Sequence, residues 1–314
     1  MIISALRNTV QPTINACLRN GRDRAYAKIG KIGRGGGLNI HSGGCGFFGD
    51  VFIALNGIRY AEQQGMASRI DWGTKSLYFD SEYGPNAWSY FFEKNSFDFR
   101  AKQDKAPLSW LPYSPGASDF VRYDGKTTRR SVNRMLDRHI RPQADILAEV
   151  DKIQATNFEK GRTLGVHIRL TDAANGEENR RAASIDTYLV QARIWKEKNP
   201  DGIVFVASDA EDALNAFDAE FGSSMCAQDC FRSTDGTSIH GHYDGGNLQS
   251  GYSNGRDVMI DALLLSRCNH LIRGHSRVTC YSLCLSPELS FDDIDLISGE
   301  KHRTTWLFEP EPSL

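Results

Sequence analysis

The chain has 314 residues, which is long for one ordinary domain and sufficient for two domains that each bury a core. Hydrophobic residues make up 40% and charged residues 24%, a balance typical of globular proteins that excludes a disordered or fibrous chain. The formal net charge of −2 excludes the strongly basic field that drives non-specific nucleic-acid binding, so we expect no nucleic-acid partner.

The segment 1–37 is a basic leader, in which seven arginines and lysines face a single acid, Asp23. This composition fits either a solvated, partly helical leader or a segment attracted to an anionic membrane surface. The leader lacks the apolar run of a secretory signal, and no stretch approaches the roughly 18 apolar residues of a membrane span. We therefore expect a cytoplasmic protein whose membrane contact, if it has one, is peripheral, at the inner membrane and through this leader.

Seven cysteines are an odd set for a chain of this size, so we expect no disulfide framework. Cys226 and Cys230, like Cys280 and Cys284, are separated by three residues. That spacing is wider than a zinc knuckle, and no nearby histidine pair completes a metal site. Buried thiols and no bound metal are the prediction.

Residues 38–159 are predicted to form an N-terminal α/β domain. A short strand at Leu38–His41 precedes a glycine-rich loop, and apolar residues at helical spacing predict a helix that starts just after Gly49. The dense aromatic residues of 78–92 are expected to build a core. Pro107–Ser118, with three prolines, is predicted to be a surface loop that could act as a lid or acceptor rim.

Residues 160–314 alternate strands with helices and are predicted to form a Rossmann-like donor-binding domain. The predicted strands are Thr163–Arg169, Gly202–Ala207 and His270–Ile272, and the predicted helices are Ile185–Glu197, Ala210–Phe221, Arg256–Arg267 and one near Val278. Such near-continuous apolar strands favour a parallel sheet covered on both faces. Two α/β halves leave a cleft between them, and ligands of such sheets bind at the carboxyl ends of the strands.

The loop Gly44-Cys45-Gly46-Phe47-Phe48-Gly49 has the glycine spacing of a dinucleotide-binding turn and is followed by Asp71 at the end of a strand. One interpretation is therefore a nicotinamide oxidoreductase. The preceding strand is short, and the surrounding sequence has many glycines, which weakens the match. The loop could also bring backbone amides near a phosphate or sugar, or be a structural turn.

The strand that ends in His167-Ile168-Arg169-Leu170-Thr171-Asp172 carries His167 and Arg169 on one face, because side chains alternate along a strand. A strand buried on both faces has no packing reason to hold two such groups. Either Arg169 makes an internal ion pair, or the two side chains clamp a diphosphate without a metal.

Three further polar residues lie where a ligand is expected. Asp209 follows a strand and is either a site residue or a helix cap. Asp261 lies on the apolar side of a helix and needs a partner, which the N–H groups of a guanine or the guanidinium of Arg169 would supply. Ser276 follows the last predicted strand and could reach donor phosphates.

Two strings resemble a known family. His167-Ile168-Arg169-Leu170-Thr171-Asp172 resembles the His-x-Arg-Arg-Thr-Asp signature of α1,6-fucosyltransferases, and Asn175-Gly176-Glu177-Glu178 resembles the Asn-Gly-Glu-Asp of the rhizobial nodulation fucosyltransferase. The likeness is collinear over about Gly43 to Ser276. Leu170 replaces the second arginine of the signature, and Ala173 replaces the lysine that usually follows its aspartate, which shifts the likeness toward the bacterial branch.

The resemblance implies a GT-B fold with two Rossmann-like domains facing a cleft, and an inverting, metal-independent transfer of fucose from GDP-fucose. Arg169 and His167 would bind the β-phosphate and the leaving GDP, Asp261 the guanine, and Ser276 would lie near the phosphates. Gly44, Cys45, Gly46 and Asp209 are the other candidate donor-binding residues.

Glu177 falls at the position of the family's candidate base, and the choice between Asp172, Glu177 and Glu178 stays open. The acceptor is expected to be a saccharide or glycolipid, in a bacterial polysaccharide, lipopolysaccharide or oligosaccharide. The alternative hypotheses are an oxidoreductase that uses the Gly44–Gly49 loop and an inactive nucleotide-sugar-binding module.

Overall fold

The computed structural model describes residues 31–32, 38–44, 46–63, 67–93, 126–158, 161–171, 183–239, 249–274 and 276–294. Within these ranges the chain forms one sheet of three strands and one of five, with helices packed on both. The predicted α/β class is confirmed. Apart from residues 31–32, the basic leader lies outside the described residues, as does the Pro107–Ser118 loop.

The three-stranded sheet belongs to the first half of the chain. Strand β1 (Lys31–Ile32) pairs antiparallel with β2 (Leu38–His41), and β2 pairs parallel with β3 (Ser68–Asp71). Helix α1 (Phe47–Gln63) connects β2 to β3.

Helix α1 begins three residues earlier than predicted. Gly46 has a φ of 76°, a left-handed conformation that glycine adopts without steric cost. The chain can therefore turn into the helix at once, and the Asp50 N–H donates to the Gly46 carbonyl at 3.0 Å. The predicted start just after Gly49 was wrong for this reason.

Aromatic side chains build the core of the first half, as predicted. Trp72 and Tyr78 are buried, and so are the aromatic residues of the short helix α2 (Trp88–Phe91). Phe47 packs edge-on against Trp72 and Tyr78, with ring centroids 5.8 and 5.0 Å apart. Edge-to-face pairs of this kind add to the stabilisation that comes from apolar burial.

Two helices, α3 (Lys126–His139) and α4 (Ala144–Asn157), complete the described part of the first half. The break between the two helices falls at Ile140–Gln143, around Pro142. The Gln143 N–H donates to the Phe91 carbonyl at 2.9 Å, and Gln143 precedes the first residue of α4. Proline lacks the N–H that a continuous helix would need at this point.

The five-stranded sheet is wholly parallel, with the order β6-β5-β4-β7-β8. Its strands are β4 (Thr163–Ile168), β5 (Ile203–Ser208), β6 (Met225–Cys226), β7 (His270–Arg273) and β8 (Ser290–Asp293). Its helices are α5 (Ile185–Lys198), α6 (Glu211–Phe221), α7 (Gly251–Ser266) and α8 (Arg277–Leu285). The three predicted strands and four predicted helices are confirmed, whereas the edge strands β6 and β8 were missed.

Helix α7 starts five residues before the predicted Arg256. Ser250 caps it by accepting a hydrogen bond from the Ser253 N–H at 3.3 Å. The extra turn contains two glycines, Gly251 and Gly255, which weaken the helical pattern in the sequence. Both are needed for packing, because a Cβ on Gly255 would lie 2.3 Å from the Phe91 ring.

Both faces of the parallel sheet are covered, as expected. Leu164, Val166 and Ile168 pack under α5 and α6. The opposite face packs on α7 and α8, and this second cluster continues into the aromatic core of the first half. Helix α7 therefore lies between the sheet and the first half of the chain. Among the described residues, no helix combines the length and apolar character needed to cross a membrane.

Candidate functional site

The carboxyl ends of three strands lie side by side at one edge of the parallel sheet. In the register of the sheet, Ile168 of β4 pairs with Ser208 of β5, and His167 pairs with Arg273 of β7. Arg169 and Asp209 therefore leave the same edge together. This is the edge at which open α/β sheets bind their ligands.

His167 faces helix α7, and Arg169 follows the last residue of β4. Leu164, Val166 and Ile168 point to the other face of the sheet, under α5. On the α7 face, a Cβ on Gly165 would lie 3.0 Å from Leu265. His167 is on the same side as Gly165. Arg169, just past the end of β4, lies close enough to act electrostatically on the His167 imidazole. His167 is buried and Arg169 is half-buried. The structure thus brings together the two residues predicted to hold a diphosphate.

Burial, and after it the neighbouring guanidinium groups of Arg169 and Arg273, lower the pKa of His167 to about 3. The imidazole is therefore neutral at physiological pH. Its Nδ1 is buried and has no hydrogen-bond partner among the described residues. A neutral ring in this position can offer one hydrogen bond to a ligand without adding charge.

Arg273 is the buried cation that the sequence analysis did not interpret. Its side chain is fully buried, and Nη2 lies 3.3 Å from Oδ2 of Asp293 on β8. The guanidinium also lies over the Phe291 ring, 4.6 Å from the centroid. An internal ion pair was the alternative considered for Arg169, and Arg273 makes such a pair with Asp293. Because β8 was not predicted, Asp293 could not be recognised as the partner of Arg273 from the sequence.

Asp209 fixes the loop that follows β4. Its carboxylate accepts hydrogen bonds from the Leu170 N–H at 2.8 Å, the Thr171 N–H at 3.3 Å and the Thr171 hydroxyl at 2.7 Å. Helix α6 begins at Glu211, with Ala210 as its N-cap and no side-chain cap bond. The helix-cap alternative for Asp209 is therefore wrong. Asp209 holds the backbone directly after Arg169.

Asp261 lies on the face of α7 that looks onto β4. Helix α7 ends beside the start of β4, since the Asn269 N–H donates to the Thr163 carbonyl at 2.8 Å. The helix therefore runs back from the carboxyl edge of the sheet. Asp261 lies one turn before Leu265, the residue that packs at Gly165, and so lies nearer the carboxyl edge.

The pKa of Asp261 is raised to about 7, chiefly by burial and to a smaller extent by Asp257, while Arg232 opposes the rise. The Oδ1 atom is buried without a hydrogen-bond partner among the described residues. The partner expected for this acid from the sequence was either a guanine or Arg169. The structure gives Arg232 as its positive neighbour, a residue that sequence reasoning missed.

Arg232 belongs to the segment that follows β6, and its guanidinium acts on Asp261 electrostatically. Its Nη1 donates to the Cys230 carbonyl at 3.1 Å, and its Nη2 donates to the Gln228 carbonyl at 2.6 Å. The Ser233 N–H donates to the Asp209 carbonyl at 2.9 Å, which fixes this segment to the carboxyl edge of β5. The Arg232 side chain is buried.

The glycine-rich loop lies in the first half of the chain. Gly44 and Gly46 have φ values of 68° and 76°, so both require the left-handed conformation. The buried carboxylate of Asp50, in the first turn of α1, accepts hydrogen bonds from the Ser42 hydroxyl and from the Gly43 N–H, the latter at 2.9 Å. A negative charge in the first turn opposes a phosphate at this helix end.

The oxidoreductase alternative predicted a strand, a glycine loop, a helix and a parallel strand ending in Asp71. The structure contains this order of elements in β2, α1 and β3. The Asp71 carboxylate, however, lies 3.7 Å from Nδ1 of His41, and Asp50 occupies the helix end. These contacts disfavour a dinucleotide pyrophosphate at the loop.

Ser276 is the N-cap of α8, and its hydroxyl oxygen accepts a hydrogen bond from the Val278 N–H at 3.2 Å. Its hydroxyl proton is left to donate to a phosphate at the same edge. Cys45, Asp172, Glu177 and Glu178 lie outside the described residues.

The five described cysteines are free thiols: Cys268, Cys280 and Cys284 are buried, and Cys226 and Cys230 are partly buried. No group of three or more histidine, cysteine or acidic side chains within the described ranges could hold a metal ion.

Comparisons with known proteins identify the fold. No family model matches the chain, and no curated protein sequence matches it. Three similar solved structures are NodZ alpha-1,6-fucosyltransferase co-crystallized with GDP (20% identity, 81% of this chain and 93% of that chain, TM-score 0.50), the same enzyme soaked with GDP-fucose (19%, 84% and 95%, 0.50) and selenomethionine fucosyltransferase NodZ from Bradyrhizobium (21%, 81% and 93%, 0.49). The resemblance predicted from the motifs is confirmed as a likeness of fold.

Proposed function

We propose that this chain is an inverting, metal-independent fucosyltransferase that transfers fucose from GDP-fucose to a saccharide hydroxyl, in a bacterial glycan. The supporting observation is the carboxyl edge of the parallel sheet, where the buried His167 faces the helix that carries Asp261 and Arg169 follows directly after β4. The fold is shared with proteins whose structures were obtained with GDP and GDP-fucose. The GT-B arrangement, with a domain boundary near residue 160, is part of the proposal.

Arg169 has the chemistry to hold the donor diphosphate. A guanidinium binds two phosphate oxygens at once, and Asp209 fixes the backbone that follows it. The neutral His167 ring would donate one hydrogen bond to the GDP. Ser276, at the start of α8, would supply a further donor to the phosphates, and the Gly44–Gly46 loop would contact the sugar and not a phosphate.

Asp261 would bind the guanine base. The N1–H and the exocyclic amine of guanine are donors, and a carboxylate is an acceptor that can take both. The buried Oδ1 of Asp261 is without a hydrogen-bond partner among the described residues. A guanine bound there would donate a hydrogen bond in place of the one from water that Oδ1 loses on burial.

In the proposed reaction, an acceptor hydroxyl attacks C1 of fucose while the bond from C1 to the β-phosphate oxygen breaks, through an oxocarbenium-like transition state. One direct displacement inverts the configuration at C1. Arg169 stabilises the negative charge that grows on the leaving GDP, and such preorganised stabilisation is worth about 3–4 kcal/mol. A carboxylate among Asp172, Glu177 and Glu178 takes the hydroxyl proton.

The proposed acceptor is a saccharide or glycolipid, and the proposed location is the cytoplasm. In one of the two interpretations of the leader, its basic residues contact the anionic surface of the inner membrane. Vesicle sedimentation with and without anionic lipid, on the full chain and on a chain without residues 1–37, distinguishes the two.

Calorimetry in EDTA tests the donor class. We expect GDP and GDP-fucose to bind with micromolar dissociation constants, and UDP-glucose and NADH to give no heat. Binding of NADH together with silence toward guanine nucleotides would overturn the proposal in favour of the oxidoreductase. Binding of GDP-fucose without transfer to any saccharide acceptor, and without slow hydrolysis, would indicate an inactive module.

Replacement of Arg169 tests the clamp. Arg169→Ala should lower the transfer rate by about 100- to 1,000-fold, and Arg169→Lys should recover only part of it, because one ammonium cannot make the bidentate contact. Arg193→Ala is the matched control, since Arg193 is exposed on α5 and pairs with Glu220 on α6. A near-normal rate in Arg169→Ala would refute the assignment.

A further inference from the structure

The guanine end of the site contains a buried arginine for which the proposed chemistry has no role so far. We propose that Arg232 donates a hydrogen bond from Nε to the O6 carbonyl of the donor's guanine and thereby selects guanine over adenine. The inference rests on the proposed function, because it assumes that Asp261 receives the base.

Arg232 is held rigidly with one donor left over. Its side chain is only 8% exposed. Two of its nitrogens donate to the Cys230 and Gln228 carbonyls at 3.1 and 2.6 Å, and these bonds fix the plane of the guanidinium. Its Nε is buried and has no hydrogen-bond partner among the described residues. An unpaired buried donor on a charged group is costly, so this atom calls for an acceptor.

Arg232 and Asp261 interact electrostatically, but Nε of Arg232 does not donate a hydrogen bond to Oδ1 of Asp261. Each group therefore keeps one buried atom to offer: the acid an acceptor, the arginine a donor. Asp257, one turn earlier on α7, is already bound by the side-chain amides of Gln228 and Gln249. Of the two acids Asp257 and Asp261, it is therefore Asp261 that is available to bind a ligand.

Guanine fits such a pair. Its N1–H and 2-amino group donate along one edge, and the O6 acceptor lies next to N1 on the same edge. A base whose N–H groups point at Asp261 presents O6 directly beside them, where a neighbouring guanidinium can donate. Adenine has an amino group in place of O6 and no N1–H, so it would face Arg232 with a donor and Asp261 with an acceptor.

The test uses three nucleotides that separate the two contacts: GDP, 6-thioguanosine diphosphate, in which O6 becomes a weakly accepting sulfur, and inosine diphosphate, which lacks only the 2-amino group. Dissociation constants are measured for the full chain and for Arg232→Met. A hydrogen bond from a charged donor predicts that the wild type prefers GDP over the 6-thio nucleotide by about 10- to 100-fold. In Arg232→Met we expect this preference to fall below about threefold, while the preference for GDP over inosine diphosphate is kept.

The ratio of dissociation constants is the readout, because loosening of the 228–233 segment would weaken all three nucleotides together. Arg232→Lys is the second variant, for use where the methionine variant does not fold, and it should retain only part of the preference. Arg193→Met, on the exposed face of α5, is the control and should leave both ratios unchanged.

Two failures are distinguishable. If no guanine nucleotide binds the wild type, the proposed function fails and this inference fails with it. If GDP binds but the wild type does not distinguish it from the 6-thio nucleotide, or if either Arg232 variant keeps the full preference, Arg232 does not contact O6 and the inference alone is overturned.

Discussion

Asp261 should make the unliganded protein less stable at neutral pH than it is in acid, and replacement by asparagine should remove this loss. The folded protein raises the pKa of Asp261 to about 7 from the ordinary value of 3.8. The folded state therefore binds a proton that the unfolded chain has released between these two pH values. Stability from this group is fully present below about pH 4 and falls as the pH rises to about 7.

The size of the effect follows from the shift. Three pKa units at 1.36 kcal/mol each give a ceiling of about 4 kcal/mol. Asp261 keeps some exposure, and Arg232 offsets part of the cost of its burial, so we expect about 2–4 kcal/mol. Asp261→Asn, which carries no charge at any pH, should then be more stable than the wild type at pH 8 by this amount, and the difference should shrink toward pH 4.5.

Urea unfolding at pH 8 and pH 4.5, followed by circular dichroism, measures this difference. Asp218→Asn, which replaces an exposed acid on α6, is the control: its difference in stability from the wild type should be the same at both pH values. Saturating GDP should reverse the order at pH 8, because the ionised carboxylate accepts the guanine N–H groups and ligand binding adds to the stability of the folded state. If wild type and Asp261→Asn have equal unfolding midpoints at both pH values, or if Asp261→Asn is the less stable of the two at pH 8 without GDP, Asp261 is not desolvated as described.

Three further changes test the framework around the site. Gly255→Ala should lower the free energy of unfolding by about 1–3 kcal/mol, because the new methyl would lie 2.3 Å from the Phe91 ring; an unchanged denaturation midpoint would contradict this packing. Arg273→Met should cost about 3–5 kcal/mol, because it leaves the Asp293 carboxylate buried without its cation, and adding Asp293→Leu should recover most of that loss; a double variant no better than the single one would argue against the pair. Asp209→Asn should lower kcat more than it raises the KM for GDP-fucose, because it loosens the loop that positions the clamp, and steady-state kinetics with an unchanged kcat would disprove that role.

Local patterns in the sequence were sufficient for the elements of the second half. The strand predicted at Thr163–Arg169 is observed at Thr163–Ile168, and the helix predicted at Ile185–Glu197 ends one residue later. Apolar runs and helical spacing are properties of neighbouring residues, so a single sequence shows them. Strand β8 was missed because Ser290–Asp293 is short and polar, and it becomes a strand only by pairing with β7.

The sequence by itself determined the α/β class, the position of the carboxyl edge and the presence of His167 and Arg169 at that edge. Strand alternation and the parallel arrangement follow from residue order alone. Tertiary structure alone decided the partners of the charged groups. Thr171 and Asp209 are 38 residues apart, and Arg232 and Asp261 belong to different elements. Which distant side chains share a buried space depends on how the elements pack, and no local pattern specifies it.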